Sequence, residues 1–497
     1  MTSAASSPDA VVVGSGPNGL AAAVVLARAG LSVQVHEAEH VPGGGARTID
    51  LGLAPGIVHD ICSAVHPLAI ASPFLGAFDL PSRGVELVVP EASYAQPLTD
   101  EPAAIAWHDL ERTASDLGRD GPAWRRLLGV AAANPGALAA LALGDKRSIP
   151  PQTLSPRGLA TAAALGLGTL AQGSRAWDLS LRTERARALL TGVSAHTISP
   201  LPSLGAGGTA IMLAALAHGP GWPIPVGGSQ AITAALLEDL RAHGGEVLTD
   251  SPVRDLRELP PSRAVLLDTP AHVALRMLAT RAPRRLARAI RRFPAGSAAA
   301  ATVDLVLSGP IPWKDPDVGR AGTVHLGGTR AEMERAELEV TAGRMPEKPM
   351  VLLSDPTLVD PSREVDGLRP IWAYAHVPLG DPRDPTEAVL QRLEEAAPGV
   401  RDLVVAAHGI PAAEMSRHNR SLVGGDITQG RADLAHLVVR PTAAWDPYRL
   451  GDTGAWLCSS ATPPGPGVHG MSGLHAARRV LRESFGIRRL PELGPGA

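Results

Sequence analysis

Gly14, Gly16 and Gly19 stand in the spacing G-x-G-x-x-G, where each missing side chain has a mechanical purpose. The first glycine permits a tight turn, the second lets a diphosphate approach the backbone, and the third lets a helix lie close on a strand. A helix opening here would turn its unpaired N–H groups and the positive end of its dipole toward phosphates. The cradle comprises Gly14, Ser15, Gly16, Pro17, Asn18 and Gly19. Glu37 follows about twenty residues on, where a carboxylate accepts hydrogen bonds from adenosine ribose hydroxyls and repels a 2′-phosphate, which disfavours NADP. Ala38 stands beside it. The next segment, HVPGGGARTI, sets Gly43, Gly44 and Gly45 ahead of Arg47 and Thr48. FAD and NAD share the earlier features. A glycine loop that admits close backbone approach, with an arginine fork able to reach a phosphate or the flavin edge, favours FAD.

Flavin carries its own redox chemistry, so few obligatory catalytic residues are expected. Imidazole titrates in the useful range, which makes His59, His66, His196 and His469 candidate proton acceptors together with Asp60. Each also has a structural reading. His59 and His66 are not spaced i, i+4 and lack cysteine or glutamate neighbours, so no zinc site is expected. GMSG around Ser472 is not G-x-S-x-G, and no GxxxxGK[ST] occurs, which removes a nucleophile elbow and a P-loop. Cys62 and Cys458 stand far apart with no CxxC pair, so dithiol chemistry is not expected.

The elements that must position these residues follow from pattern. Ala10 to Val13 is an unbroken apolar strand, the glycine turn leads into a helix to Arg28, Gly30 closes it, and Ser32 to His36 is the next strand. That is a βαβ unit whose parallel strands are buried on both faces. Residues from about Val85 to Ala217 read as mainly helical. GWPIPVGGSQAITAALLEDLRAHGGEVL then gives a loop, a glycine pair, a helix ending near Gly244 and a strand through Val247, a second visit to the same sheet. GAGG from Gly205 reads as a helix entry. Ala301 to Leu307, Met350 to Leu353 and Ile371 to Val377 read as strands of a mixed sheet. A strand at WLCSSA leads through TPPGPGVHG into a helix from Met471 to about Glu483, and the tail beyond Pro491 reads as frayed. Ala282 to Pro294 is a basic helix with Leu286, Ile290 and Phe293 on one side. It is either a solvated surface helix or a contact for an anionic membrane or redox partner.

With 497 residues the chain exceeds what one core usually organises. Hydrophobic residues are 45% and charged residues 19%, ordinary for a folded protein. A net charge of -3 and 3% aromatic residues give no pull toward nucleic acid and no base-stacking platform. No secretory leader pattern and no run of about 18 apolar residues is present, so a cytoplasmic protein is expected.

GSGPNGLAAAVVLARAG, HEAEHVPGGGART, HDICSAVHPLAIASP, GWPIPVGGS, GPIPW, AYAHVP, VGGDI and CSSATPPGPGVHGMSG together resemble the phytoene-desaturase-like FAD-dependent oxidoreductases. The similarity is to the branch of pyridine nucleotide-disulphide oxidoreductase domain-containing protein 2. The resemblance implies an α/β fold with a Rossmann-like, GR2-type FAD-binding domain from residues 1–80, 220–275 and 450–497. An α+β substrate domain on a mixed sheet, with a helical part, would take 81–219 and 276–449. It also implies that Val253 contacts adenine through its backbone and that Ser460, Gly470 and Met471 lie beside the ribityl chain and ring. A helix opening at Gly470 would present N–H donors to reduced flavin, although a plain helix cap also explains GVHGM. His469 then has the strongest claim as proton acceptor, with His59 and Asp60 next. His418, Leu422 and Leu474 stand where the family pattern has aromatic residues, so the substrate cavity is expected to differ.

The reaction implied is hydride removal from an apolar or mixed small molecule, forming a double bond, with oxygen or a quinone as electron acceptor. An amine or alcohol oxidase, an isomerase using reduced flavin, and a flavin-binding protein acting only through partners are the rival readings.

Overall fold

A computed structural model describes residues 7–496. The strand β1 (Ala10–Val13) is wholly apolar and buried, and it runs into helix α1 (Pro17–Arg28). Gly16 is the extended N-cap of that helix and Pro17 its first residue, where a missing N–H costs nothing. Strand β2 (Val33–His36) lies parallel to β1, with Ala10 beside Val33 and Val13 beside His36. Helix α2 (Gln230–Ala242) returns the chain to β3 (Glu246–Leu248), which pairs with β2. The chain then crosses to the other side of β1 for β4 (Ala264–Leu267), and β5 (Ala455–Leu457) adds outside β4 before helix α3 (Met471–Ser484).

The resulting five-stranded parallel sheet has the order β5-β4-β1-β2-β3. Because the chain leaves β1 first to one side and later to the other, the gap between β1 and β4 is a switch point. Crevices at the carboxyl ends of strands open there. Helices α1 and α3 cross closely: a Cβ on Gly473 would lie 1.9 Å from the Asn18 carbonyl oxygen.

A second sheet of seven strands carries the larger half of the chain. Its order is Val404–Ile410, Ala299–Leu307, Arg369–Val377, Val351–Ser354, Ala321–Leu326, Ala92–Gln96, Ala104–Trp107. All neighbours are antiparallel except Ala321–Leu326 with Ala92–Gln96. The three strands expected from pattern are present, within a few residues of the expected bounds. The stretch from Val85 to Ala217 is mainly helical as expected, but it also holds two strands that were not, Ala92–Gln96 and Ala104–Trp107, each buried along its whole length. With both faces covered, neither shows the polar alternation that marks a strand in sequence. Helices Gly121–Ala132, Pro156–Gln172, Glu184–Ser194 and Leu204–His218 pack together beside them around Trp124 and Trp222.

One further expectation is corrected. The tail beyond Pro491 is tied down: Arg28 donates to the carbonyls of Glu492 and Gly494, Arg83 donates to that of Leu493, and both arginines pair with buried Asp239. The basic helix Arg284–Arg292 turns Ile290 and Ala287 into the protein. That consumes its apolar side, and only an arginine face remains outward. Among the described residues no single helix is long and apolar enough to cross a membrane. One bent pair, Gly118–Ala132 with Pro135–Leu143, passes by length and composition together across a 73° bend.

Candidate functional site

One cavity of about 1050 Å³ begins at the switch point and extends beneath the seven-stranded sheet. Its first wall is the glycine turn. Ser15 donates its N–H to Glu37 Oε2 at 2.8 Å, its hydroxyl donates to the same oxygen, and Gly43 N–H donates to Ser15 Oγ. Glu39 N–H satisfies Glu37 Oε1 at 2.9 Å. The carboxylate at the end of β2 is thereby fixed on the cavity wall with Ala38 and Glu39 beside it. Gly44 presses its loop onto the turn, since a Cβ there would come 2.8 Å from Gly16 Cα. Asn18, in the first turn of α1, has a buried Oδ1 with no protein partner, an acceptor that a ligand hydroxyl or a water can meet. Glycine backbone open to close approach, a helix N-terminus and a fixed carboxylate fit the adenosine diphosphate half of a dinucleotide.

Val253 and Ser460 also line this cavity. Val253 is positioned by the loop after β3, where Ser251 N–H donates to the Glu37 carbonyl at 2.8 Å. Arg47 lines it too, with two of its three guanidinium nitrogens committed to the protein. Nε donates to the Gly44 carbonyl at 2.8 Å and Nη2 to the His418 carbonyl at 2.7 Å, so it orders two loops from its place on the cavity wall.

Other expected residues lie behind the wall. Thr48 donates to Asp60 Oδ1 at 2.7 Å and accepts from Gln230 N–H, outside the cavity. Asp60 also accepts from Ser229 N–H and pairs with Arg363 at 3.0 Å, both side chains almost fully buried. The Ser229 contact braces the glycine loop against α2 and the Arg363 pair ties it to the turn at Pro361–Arg363, so Asp60 is spent on structure rather than turned toward a ligand. His59 donates to the Leu305 carbonyl and faces the second sheet. His469 Nδ1 accepts from Met471 N–H at 3.0 Å and Nε2 donates to the Gly465 carbonyl at 3.1 Å. Both its nitrogens are spent shaping the loop, which leaves no lone pair for a substrate proton, and burial holds its pKa down at about 4. The cavity meets Gly467 and Val468 instead. Gly470, at φ +66, caps α3, and a Cβ there would lie 2.5 Å from Phe74. Met471 packs in the core with Leu474. Neither Gly470 nor Met471 reaches the wall, and the plain cap reading of GVHGM accounts for both.

His66 and His196 do reach it. Ser229 Oγ donates to the Ser63 carbonyl, so His66 Nε2 donates to Ser229 Oγ at 2.7 Å and its Nδ1 keeps a lone pair. His196 Nε2 lies 2.9 Å from His325 Nε2. Burial keeps both wall histidines neutral, His66 at about 4 and His196 at about 3.

The far end of the cavity is lined by Trp222, Trp372, Tyr374, Leu352 and Thr323 around His196. These side chains come from separate stretches that no local spacing connects, so the sequence holds no signal for them. Leu422 lines the cavity, whereas His418 donates to the Ile61 carbonyl outside it. The cavity leads outward past Leu165, Met212 and Leu437, and exposed Leu434 and Val438 mark its mouth. Asp268, immediately after β4, was missed. Its Oδ2 accepts from Gly19 N–H at 2.9 Å, and burial together with nearby Glu37 raises its pKa to about 7. The available signal was a lone acid ending a buried strand, in AVLLD. Cys62 also stands on the wall, with burial pushing its thiol up to about 12.

Comparisons with known proteins agree with this geometry. A model described as an NAD(P)-binding Rossmann-like domain matches residues 12–72. Rat pyridine nucleotide-disulfide oxidoreductase domain-containing protein 2 is 24% identical, over 96% of this chain and 93% of its own. An uncharacterized protein of Mycobacterium tuberculosis is 25% identical over 97% of this chain and 98% of its own. Among solved structures, a putrescine oxidase variant from a redesign of cofactor binding superposes with a TM-score of 0.60 at 16% identity, covering 96% of this chain and 99% of that one. Cyclohexylamine oxidase from Brevibacterium oxydans gives 0.57 at 17% identity, covering 95% and 97%. The fold is therefore that of a Rossmann-like dinucleotide-binding domain joined to a mixed-sheet domain, as in these oxidases.

Proposed function

We propose that this chain is an FAD-dependent oxidoreductase that removes hydride from an apolar or mixed small molecule, in the manner of a desaturase. The observation that carries the reading is the continuity of one cavity. A dinucleotide cradle closes one end, aromatic and aliphatic side chains close the other, and an apolar passage leads to the surface. FAD, when bound, supplies the hydride acceptor. The chain's own residues do the rest. Glu37 and the glycine turn hold the adenosine end, Trp222, Trp372, Tyr374 and Leu352 exclude water and orient an apolar substrate, and His196 or His66 offers a neutral lone pair to a departing proton. The cytoplasm as location, and oxygen or a quinone as electron acceptor, complete this reading.

An amine oxidase is the second reading, favoured by the putrescine and cyclohexylamine oxidase neighbours and by the Trp372–Tyr374 pair, which suits a cation. Against it, among the described residues no carboxylate joins His196, Thr197, Trp222, Thr323, Leu352, Trp372 and Tyr374 at that end.

The test is direct. Purified protein is expected to be yellow, to release FAD on denaturation, and after anaerobic photoreduction to pass electrons to oxygen or a quinone analogue. Protein that stays colourless after reconstitution overturns the flavin reading. A flavin that takes electrons but yields them to no acceptor leaves a binding protein and overturns the enzyme.

A further inference from the structure

The second glycine of the fingerprint leaves room for a diphosphate by lacking a Cβ. Here that room is shared. A Cβ built on Gly16 would lie 2.5 Å from Asp268 Oδ2, and one on Gly19 would lie 3.0 Å from it. The switch point thus places a carboxyl group at the mouth of α1, where phosphate oxygens are otherwise expected, and it takes the Gly19 N–H for itself. An ionised carboxylate would be a good cap for an empty helix. Beside a diphosphate it becomes a third negative group, since Glu37 already stands on the same wall.

The groups around Asp268 offer no compensation. The first turn of α1 carries Pro17, Asn18 and Gly19, with nothing ionisable. Just after β2 comes Glu37, which raises the Asp268 pKa, and just after β5 comes Cys458, a buried thiol that Asp268 itself pushes up. Arg254 and Arg276 line the same cavity, yet burial, the Gly19 N–H and Glu37 are what act on Asp268.

We propose that Asp268 shares the site with the cofactor only as an un-ionised carboxylic acid whose O–H is donated to the diphosphate, so that FAD binding takes up one proton at this residue. The inference rests on the FAD reading above. In the uptake, the carboxylate gains a proton from solvent, no other bond changes, and the new O–H meets a phosphate oxygen. With the free carboxyl titrating near 7, affinity is complete below that pH and declines above it, by about tenfold in Kd per pH unit.

The experiment measures the Kd of FAD for the full-length chain, by flavin fluorescence, from about pH 6 to about pH 9. Asp268→Asn is measured in parallel, because an amide imitates the neutral acid and keeps an acceptor for Gly19. Calorimetry of the unaltered protein in buffers of different ionisation heat counts protons directly and needs no variant. The wild type should lose affinity as pH rises and take up close to one proton above pH 7, while Asp268→Asn should stay flat near the low-pH value. FAD held equally well across the range, with no proton uptake, overturns this inference alone. The same slope in Asp268→Asn also overturns it, by assigning the proton elsewhere. A chain that holds no FAD at any pH overturns both this and the flavin reading.

Discussion

Ser15 and Glu37 form the tightest exchange at the dinucleotide end, a backbone N–H and a hydroxyl spent on one carboxylate oxygen. Removing that charge frees Ser15 and deprives the ribose of its acceptor. Glu37→Ala is expected to weaken FAD retention by ~10- to 100-fold, the worth of one or two charge-assisted hydrogen bonds, with the chain still folded. Equilibrium dialysis checks it, and unchanged retention would remove Glu37 from the site. At the other end, His196→Gln preserves a polar group without a basic ring nitrogen. It is expected to leave FAD bound and slow flavin reduction by substrate ~100-fold in single-turnover kinetics. An equal rate would pass the proton to His66 or to water. Residue types alone made Glu37 legible, because its distance from the glycines is set by one βαβ unit. They misplaced His469, since a histidine that feeds its own loop's N–H groups and carbonyls looks in sequence like one that faces a ligand.

The glycine loop after β2 is an element held from behind. Thr48, Asp60, Ser229 and Arg363 tie strand Val58–Asp60 to the start of α2 and to the turn near Pro361. Asp60→Asn leaves the Arg363 guanidinium buried without its anion, and such an unpaired charge costs about 3–5 kcal/mol. The urea midpoint should fall accordingly. Holding the glycine loop less firmly should also weaken FAD binding, while a loss of affinity with no loss of stability would restore Asp60 to the site itself. Elements with one dominant local signal were legible: β1 by its apolar run, α1 by glycine and proline at its start, and α3 by the loop before it. Ala92–Gln96 was not, because a five-residue strand buried on both sides has no alternation to read.

Across the whole molecule, histidines are buried in numbers that matter for acid stability. Burial lowers His66, His218, His469 and His475 to about 4 and His196 to about 3. The unfolded chain protonates them from the ordinary value of 6.5, whereas the folded chain does so only near 4. Stability from this source is therefore whole above pH 6.5 and is lost as pH falls toward 4, by up to ~1.4 kcal/mol per pH unit for each histidine. Thermal midpoints between about pH 7 and about pH 4.5 should drop steeply, and a flat profile would mean that these rings are hydrated. The sequence by itself determined the dinucleotide cradle and the visits to one parallel sheet, because turn glycines, strand runs and helix starts act within a few residues of one another. Only the tertiary structure decided what meets that cradle. Asp268 and Gly16 lie 252 positions apart yet share one gap between β4 and β1, and His196, Trp222 and Trp372 come from different elements. Such meetings depend on how sheets and helices pack, a non-local property that no spacing along the chain encodes.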